Sequence, residues 1–224
     1  MINHHLSDEM IMAFGAGTLS AGQAFLVACH LDICPHCAAR VAEAEMIGGA
    51  MIETCDEASL SDDLFDRILM DIDDDSMPLS ATPASASGWA ERALGQVSTP
   101  RLLEALVGSD YDAIKWRSVG PGIKQYLLPV EDSEGEKVRL LRLSPGFVTP
   151  EHSHHGSELT LVLKGSFSDD TGRYCVGDIQ DADEETHHHP MADTEEECIC
   201  LVCTDAPLEF KGMIPKLLQP ILGI

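Results

Sequence analysis

The sequence predicts two unlike domains: an all-α N-terminal domain, then an all-β C-terminal domain built as a small β-barrel or jelly roll. Up to about residue 74 apolar residues recur at helical spacing, whereas beyond residue 100 short runs alternate with period two between Gly, Pro and Asp signals. Between them, residues 77–99 are rich in Ser, Ala, Pro, Gly and Thr, the composition of a linker. The expected division is therefore 1–76, a linker over 77–99, and 100–224. A chain of 224 residues is long enough for both parts to bury a core.

Ser7 and Asp8 cap a first helix through Met10, Ile11 and Phe14 that ends at Gly15-Ala16-Gly17. Ser20 opens a second through Phe25, Leu26 and Val27 to Leu31. A third starts at Cys34-Pro35, because proline suits the first helical position, and runs to about Gly48-Gly49. A fourth begins at Ser61-Asp62-Asp63 and sets Phe65, Ile68, Leu69 and Ile72 on one face. The linker holds a short helical stretch around 89–94, and another helix covers 101–107. Strands are expected over 115–118, 123–128, 137–143, 159–163, 166–168, 173–176 and 198–204. Many short, closely spaced strands make a sandwich or small barrel.

The charge is one-sided: 14 Lys and Arg against 38 Asp and Glu give a net charge of −24. Residues 1–92 carry 3 basic and 16 acidic side chains, so the deficit is spread over both halves. Such a surface repels phosphate backbones and anionic lipid, which argues against direct nucleic-acid or membrane binding. With 44% hydrophobic residues, the chain is not a disordered acidic tail. No apolar stretch reaches the roughly 18 residues of a membrane span, and the start lacks the layout of a signal peptide, so the expected compartment is the cytoplasm. There the eight Cys are expected as thiols, metal ligands or redox sensors rather than as disulfides.

His30-x3-Cys34-x2-Cys37 is the sharpest local signal in the first half. His30 ends the second helix, Cys34 lies in the turn and Cys37 in the first turn of the third helix, so the three can meet at one point. A helix N-terminus favours thiolates. Two thiolates and two neutral imidazoles around Zn2+ sum to zero, which suits a buried structural site. The fourth ligand is expected to be His5, with His4 as its competitor. A redox Cys-x2-Cys pair is the rival reading, and the preceding His favours zinc. Cys29 is expected as a small core residue and His36 as an exposed side chain. A metal would also help to close a helical domain with few large aromatics.

This pattern resembles the signature of zinc-binding anti-sigma domains over roughly residues 1–80. The resemblance implies a helical domain that binds an extracytoplasmic-function sigma factor and occludes the surfaces that factor needs for core RNA polymerase.

The second half carries Gly146-x5-His152-x-His154-x3-Glu158-x6-Gly165. Residues two apart on a strand share a side, so His152 and His154 can share a metal, and Glu158 on the next segment can reach it. A fourth ligand would come from the run His187-His188-His189. The spacing resembles the first cupin motif. Cys175-x-Gly177 followed by His188 resembles the second, with Cys where cupins often have Pro, and the match selects His188. The cupin metal is open between Zn, Fe, Mn and Ni.

A zinc anti-sigma domain followed by a cupin resembles the ChrR-type anti-sigma factors. The likeness extends to His4-His5-Leu6-Ser7-Asp8, to Glu158-Leu159-Thr160-Leu161-Val162-Leu163, to Cys198-Ile199-Cys200-Leu201 and to Pro215-Lys216-Leu217-Leu218-Gln219-Pro220. It implies a negative regulator, not an enzyme, that holds a sigma factor until singlet oxygen or a peroxide-type oxidant is sensed, with the cupin needed for that response. Cys198 and Cys200 fall on one face of their strand and Cys203 on the other. The first two read either as small core residues or as oxidant targets. The other Cys outside the zinc set, Cys29, Cys55, Cys175 and Cys203, are expected to be structural. The alternatives are a metal-dependent cupin dioxygenase or isomerase carrying a zinc-stapled helical domain, and a metal-storage or metal-sensing protein. The helical domain has no evident role in a stand-alone enzyme.

Overall fold

The computed structural model describes residues 1–72, 99–130, 136–150, 152–153, 156–183, 189–205 and 209–210. Helices α1 (Asp8–Gly15), α2 (Ala21–Ile33), α3 (Pro35–Glu53) and α4 (Leu64–Ile72) come first. Ser7 and Ser20 start α1 and α2 as expected, their hydroxyls accepting from the amides of Met10 and Gln23 at 3.2 and 3.3 Å. Pro35 opens α3, which runs past Gly48-Gly49 to Glu53. Neither glycine has left-handed φ, so each weakens the helix without stopping it. Residues 77–98 of the expected linker, with the helical stretch at 89–94, lie outside the described residues. Helix α5 (Arg101–Val107) follows, then a 3-10 turn at Tyr111–Ala113.

The second half is all β: β1 (Arg117–Gly120), β2 (Ile123–Leu127), β3 (Lys137–Leu143), β4 (His152–Ser153), β5 (Glu158–Lys164), β6 (Ser166–Asp169), β7 (Gly172–Cys175), β8 (Ile179–Ala182), β9 (Met191–Ala192), β10 (Cys198–Thr204) and β11 (Glu209–Phe210). Six strands form an antiparallel sheet in the order β1-β2-β3-β10-β5-β8, with smaller sheets β7-β6-β9 and β11-β4. β10 is central, pairing with β3 from Cys198↔Leu143 to Thr204↔Lys137 and with β5 on its other side. The tight β5–β6 connection needs Gly165: its φ is +68°, and a Cβ there would sit 2.4 Å from the carbonyl oxygen of Glu197. This is a jelly-roll-like sandwich of the kind that the strand pattern predicts, and the fold that the cupin resemblance implies.

Strand alternation gives the large sheet two different faces. Leu143, Val162, Cys198, Cys200 and Val202 point inward and pack with Phe167 and Tyr174 of the small sheet. Val138, Leu140, Leu159, Leu161, Leu201 and Cys203 point outward and join Leu26, Val27 and Leu103 of the helices in one continuous core. The helical domain is therefore packed on the sheet, and α2 lies on β5 and β10. Burying one Leu of this seam stabilises the fold by roughly 1.5–3 kcal/mol.

Polar anchors fix the register of the two halves. The carboxylate of Glu136 accepts from the Ser20 hydroxyl at 2.5 Å and from the Gly22 amide at 2.7 Å, at the start of α2. Cys203 donates its thiol to the same carboxylate at 3.1 Å. Asp32 of α2 accepts from the amide and the guanidinium of Arg101 at 2.7 and 2.8 Å. Asp178, between β7 and β8, takes the amides of Asn3 and His4.

Candidate metal centre

His30 sits in the last turn of α2, Cys34 caps the break with extended backbone (φ −116°, ψ 94°), and Cys37 lies one turn into α3. Across that break the helix direction turns by 119°, which folds the three side chains toward one another. His5 reaches them from the segment before α1. The ligand atoms of His5, His30, Cys34 and Cys37 all lie within 4.8 Å of one another, and this is the one such His/Cys/Asp/Glu group among the described residues. His5 Nδ1 is 3.3 Å from Cys34 Sγ and 3.6 Å from Cys37 Sγ. Tetrahedral coordination with metal–sulfur bonds near 2.3 Å and metal–nitrogen bonds near 2.1 Å puts neighbouring ligand atoms about 3.4–3.8 Å apart. The four residues could therefore hold a metal with little rearrangement.

His30 supplies an independent test of fit. It is 0% exposed, and neither ring nitrogen has a hydrogen-bond partner among the described residues. A buried imidazole left so costs about 1–3 kcal/mol, and a cation bound by one nitrogen removes that cost. The thiols are already polarised against each other. The neighbouring Cys37 thiol draws Cys34 down to about 3, while the paired Cys34 and burial push Cys37 up. The rival fourth ligand, His4, points away: its ring lies tilted against Tyr174, with centroids 4.3 Å apart. His36 is exposed, with its ring 4.6 Å from that of His5, and is not one of the four.

In the barrel, Glu158 opens β5 and is buried. Burial raises its carboxyl to about 7, against the pull of Arg139 and a 3.4 Å hydrogen bond from Thr160. Gln125, Thr160, Gln180 and Thr204 are also buried, and strand alternation sets them with Arg139 and Glu158 on the inward face, a polar patch beside the apolar one. His152 lies in β4, paired with Phe210. The His152 side chain, His154 and His188 lie outside the described residues, so Glu158 is the member of the expected cupin set that can be placed. His189 is exposed, its Nδ1 3.8 Å from an oxygen of Asp170.

Cys198 and Cys200 are buried on the inward face with their sulfurs 3.5 Å apart. The hydrogen bond between them and burial push the Cys200 thiol up. Cys203 points outward, as alternation requires. Cys29 is buried in the core as expected, whereas Cys55, expected to be structural, is exposed. Sequence reasoning passed over Glu136, Arg139 and Asp178. Asp178 had one signal, directly following Gly177 of the second cupin-like motif.

A helical domain gathered round two imidazoles and two thiols, and packed on a cupin, defines a two-domain protein of cluster plus barrel. No single helix among the described residues is long and apolar enough to cross a membrane. Residues 104–207 match the family described as ChrR Cupin-like domain. Over all 224 residues the chain is 39% identical to the anti-sigma-E factor ChrR of Cereibacter sphaeroides, covering 99% of that relative. The crystal structure of Rhodobacter sphaeroides SigE in complex with the anti-sigma ChrR superposes with a TM-score of 0.73 at 35% identity, over 92% of this chain and 100% of that one. The chain belongs to the ChrR family of anti-sigma factors.

Proposed function

We propose that this protein holds an extracytoplasmic-function sigma factor inactive through its helical domain and releases it on oxidant stress of the singlet-oxygen or peroxide type. The full-length similarity to an anti-sigma factor whose relative is seen bound to SigE carries this reading. A surface feature supports it. Met46, Ile47, Met51 and Ile52 on α3, and Phe65, Ile68, Leu69 and Met70 on α4, are exposed. An exposed apolar run of this kind is suited to covering a partner protein. The acidic surface fits a basic, DNA-binding partner of this type, and direct contact with nucleic acid or membrane has no part in the reading. The site of action is the cytoplasm, where a sigma factor works.

In this reading residues 1–76 form the sigma-binding domain and 100–224 the sensory cupin. Zinc is held by His5, His30, Cys34 and Cys37 as a structural clamp on α2, α3 and the N-terminal segment. A second divalent metal is held by His152, His154, Glu158 and His188. The cupin senses rather than turns over a substrate, and it requires no catalytic residue beyond its metal ligands.

The test is co-purification of the full chain with a sigma factor, followed by transcription with reconstituted polymerase. The expected result is a complex that represses transcription, is lost in Phe65→Asp/Leu69→Asp, and is relieved by oxidant in the wild type but not in His154→Ala/Glu158→Ala. A chain that neither binds nor represses the sigma factor would remove the regulatory reading. Relief that survives the cupin substitutions would move sensing to the helical domain.

A further inference from the structure

Of the four residues in the metal cluster, three stand on α2, α3 or the break between them, and the fourth stands on no helix. His5 precedes α1 and is the exposed member of the group. The segment that carries it is tied to the cupin. Asp178, 0% exposed, accepts on Oδ1 from the amides of Asn3 and His4 at 2.6 and 3.0 Å, and on Oδ2 from the amide of Cys175 at 2.8 Å. The carbonyl of His4 accepts in turn from the amide of Ile179 at 3.3 Å. The His4 ring lies on Tyr174, and its Nε2 donates to the carbonyl of Arg173 at 3.1 Å.

One peptide unit therefore separates an anchor in the cupin from a ligand in the helical domain. Consecutive Cα atoms are fixed about 3.8 Å apart, so a shift of the β7–β8 turn acts on His5 through a single intervening peptide unit. The turn is also coupled to the barrel: β8, which begins at the next residue, pairs with β5 from Leu161↔Ile179 to Glu158↔Ala182. The strand that carries Glu158 and the turn that carries Asp178 belong to one ladder.

We propose that Asp178 is a positioning residue for the zinc centre, holding His5 in place through the backbone of Asn3 and His4, so that the cupin sets how firmly the helical domain keeps its metal. The inference rests on the zinc reading above and adds the route by which the cupin acts on it. Hydrogen bonds to a buried carboxylate are among the stronger ones in proteins. In Asp178→Asn one acceptor oxygen becomes an N–H donor, so the strap or the Cys175 amide must lose its partner.

The test uses the full chain loaded with zinc or with cobalt(II). Transfer of zinc to a chromophoric chelator gives the release rate, and the visible bands of cobalt(II) report a tetrahedral two-sulfur, two-nitrogen site. Release from Asp178→Asn is expected to be about tenfold faster than from the wild type, since losing one such bond is worth roughly that factor. Its cobalt bands should weaken and shift. His4→Ala, which removes the ring contact with Tyr174 and the Arg173 contact, should speed release about threefold, a fraction of that effect. Glu136→Gln weakens a different anchor between the halves, and should leave the rate within about twofold and the cobalt bands unchanged, because sites that share no partner act independently.

An unchanged rate and spectrum in Asp178→Asn overturns the proposal. So does a Glu136→Gln chain that releases zinc as fast, since general loosening of the seam would then suffice. If Asp178→Asn does not fold, half-buried His4 decides, and an unchanged rate in His4→Ala overturns the proposal. A wild-type chain with no tetrahedral cobalt spectrum overturns the zinc reading itself, an outcome distinct from the others.

Discussion

Replacing Gly22 by Ala tests how closely the helices pack on the sheet, because two effects of opposite sign meet there. Helix propensity alone favours Ala over Gly by up to about 1 kcal/mol. A Cβ at this position would lie 2.6 Å from Cδ and Oε2 of Glu136 and 2.7 Å from Cγ2 of Val138. Glu136 can swing aside, but it then leaves the Ser20 hydroxyl and the Gly22 amide without their acceptor. A hydrogen bond to a charged group is worth about 1.5–3 kcal/mol. Val138 belongs to β3 and is buried, so relief there requires a shift of α2 along the seam. Overpacking of this kind costs about 1–3 kcal/mol. The net expectation is a loss of about 2–4 kcal/mol, which at a urea dependence near 2 kcal/mol/M lowers the unfolding midpoint by about 1–2 M. Urea titration followed by circular dichroism measures this. Pairing the change with Glu136→Ala should recover part of the loss, since the two positions touch. A Gly22→Ala chain as stable as the wild type, or more stable, would refute the close seam and leave propensity as the dominant effect.

Three other outcomes are expected. Metal analysis of the wild type should find about two equivalents per chain, falling to about one in Cys37→Ala and to about one in His152→Ala, because each set closes its own coordination sphere; a full complement in Cys37→Ala would exclude the first site. In metal-free protein the neutral form of Glu158 is favoured by folding, so its contribution is fully present below its ordinary value of 4.5 and is lost as pH rises through about 7. At 1.36 kcal/mol per pH unit that loss is about 3 kcal/mol, so Glu158→Gln should gain on the wild type by about that much between pH 4 and 8.5 in urea titrations, and a constant difference would contradict the burial argument. Iodoacetamide should label exposed Cys55 in the native chain and leave Cys198, Cys200 and Cys203 untouched until unfolding, as peptide mass spectrometry will show; native labelling of Cys200 at the rate of Cys55 would mean that the inward face opens.

What could be read from the sequence follows the range of the interactions involved. α5, β3 and β10 have the bounds that alternation and turn residues predict, because each is a run of local preference with one clear period. β8 was not predicted. Its Gln180 faces inward, which breaks the alternation, and it is satisfied by Asp169 and Thr171 at 2.7 and 2.9 Å, partners that no local pattern announces. The two-residue strands β4, β9 and β11 exist through their pairing alone. Three of the four zinc candidates lie within eight residues, so their spacing is visible, and the sequence already favours His5 over His4, whose ring lies against Tyr174 in the fold. The anchors were out of reach of pattern reading, since Glu136 meets Gly22 across 114 residues and Asp178 meets Asn3 across 175.

The shared core has a consequence for synthesis. Leu26 of α2 and Leu201 of β10 belong to the same apolar cluster, although 175 positions separate them in the chain. At ribosomal rates of about 5–20 residues per second, that interval lasts on the order of 10–35 s. During it the helices emerge, α2 still lacks the strands that cover it, and the seam closes only when the last long strand arrives. Closure of so distant a contact makes the complete fold slow to form. A newborn chain thus presents its helical half to the surroundings well before the cupin can act on it.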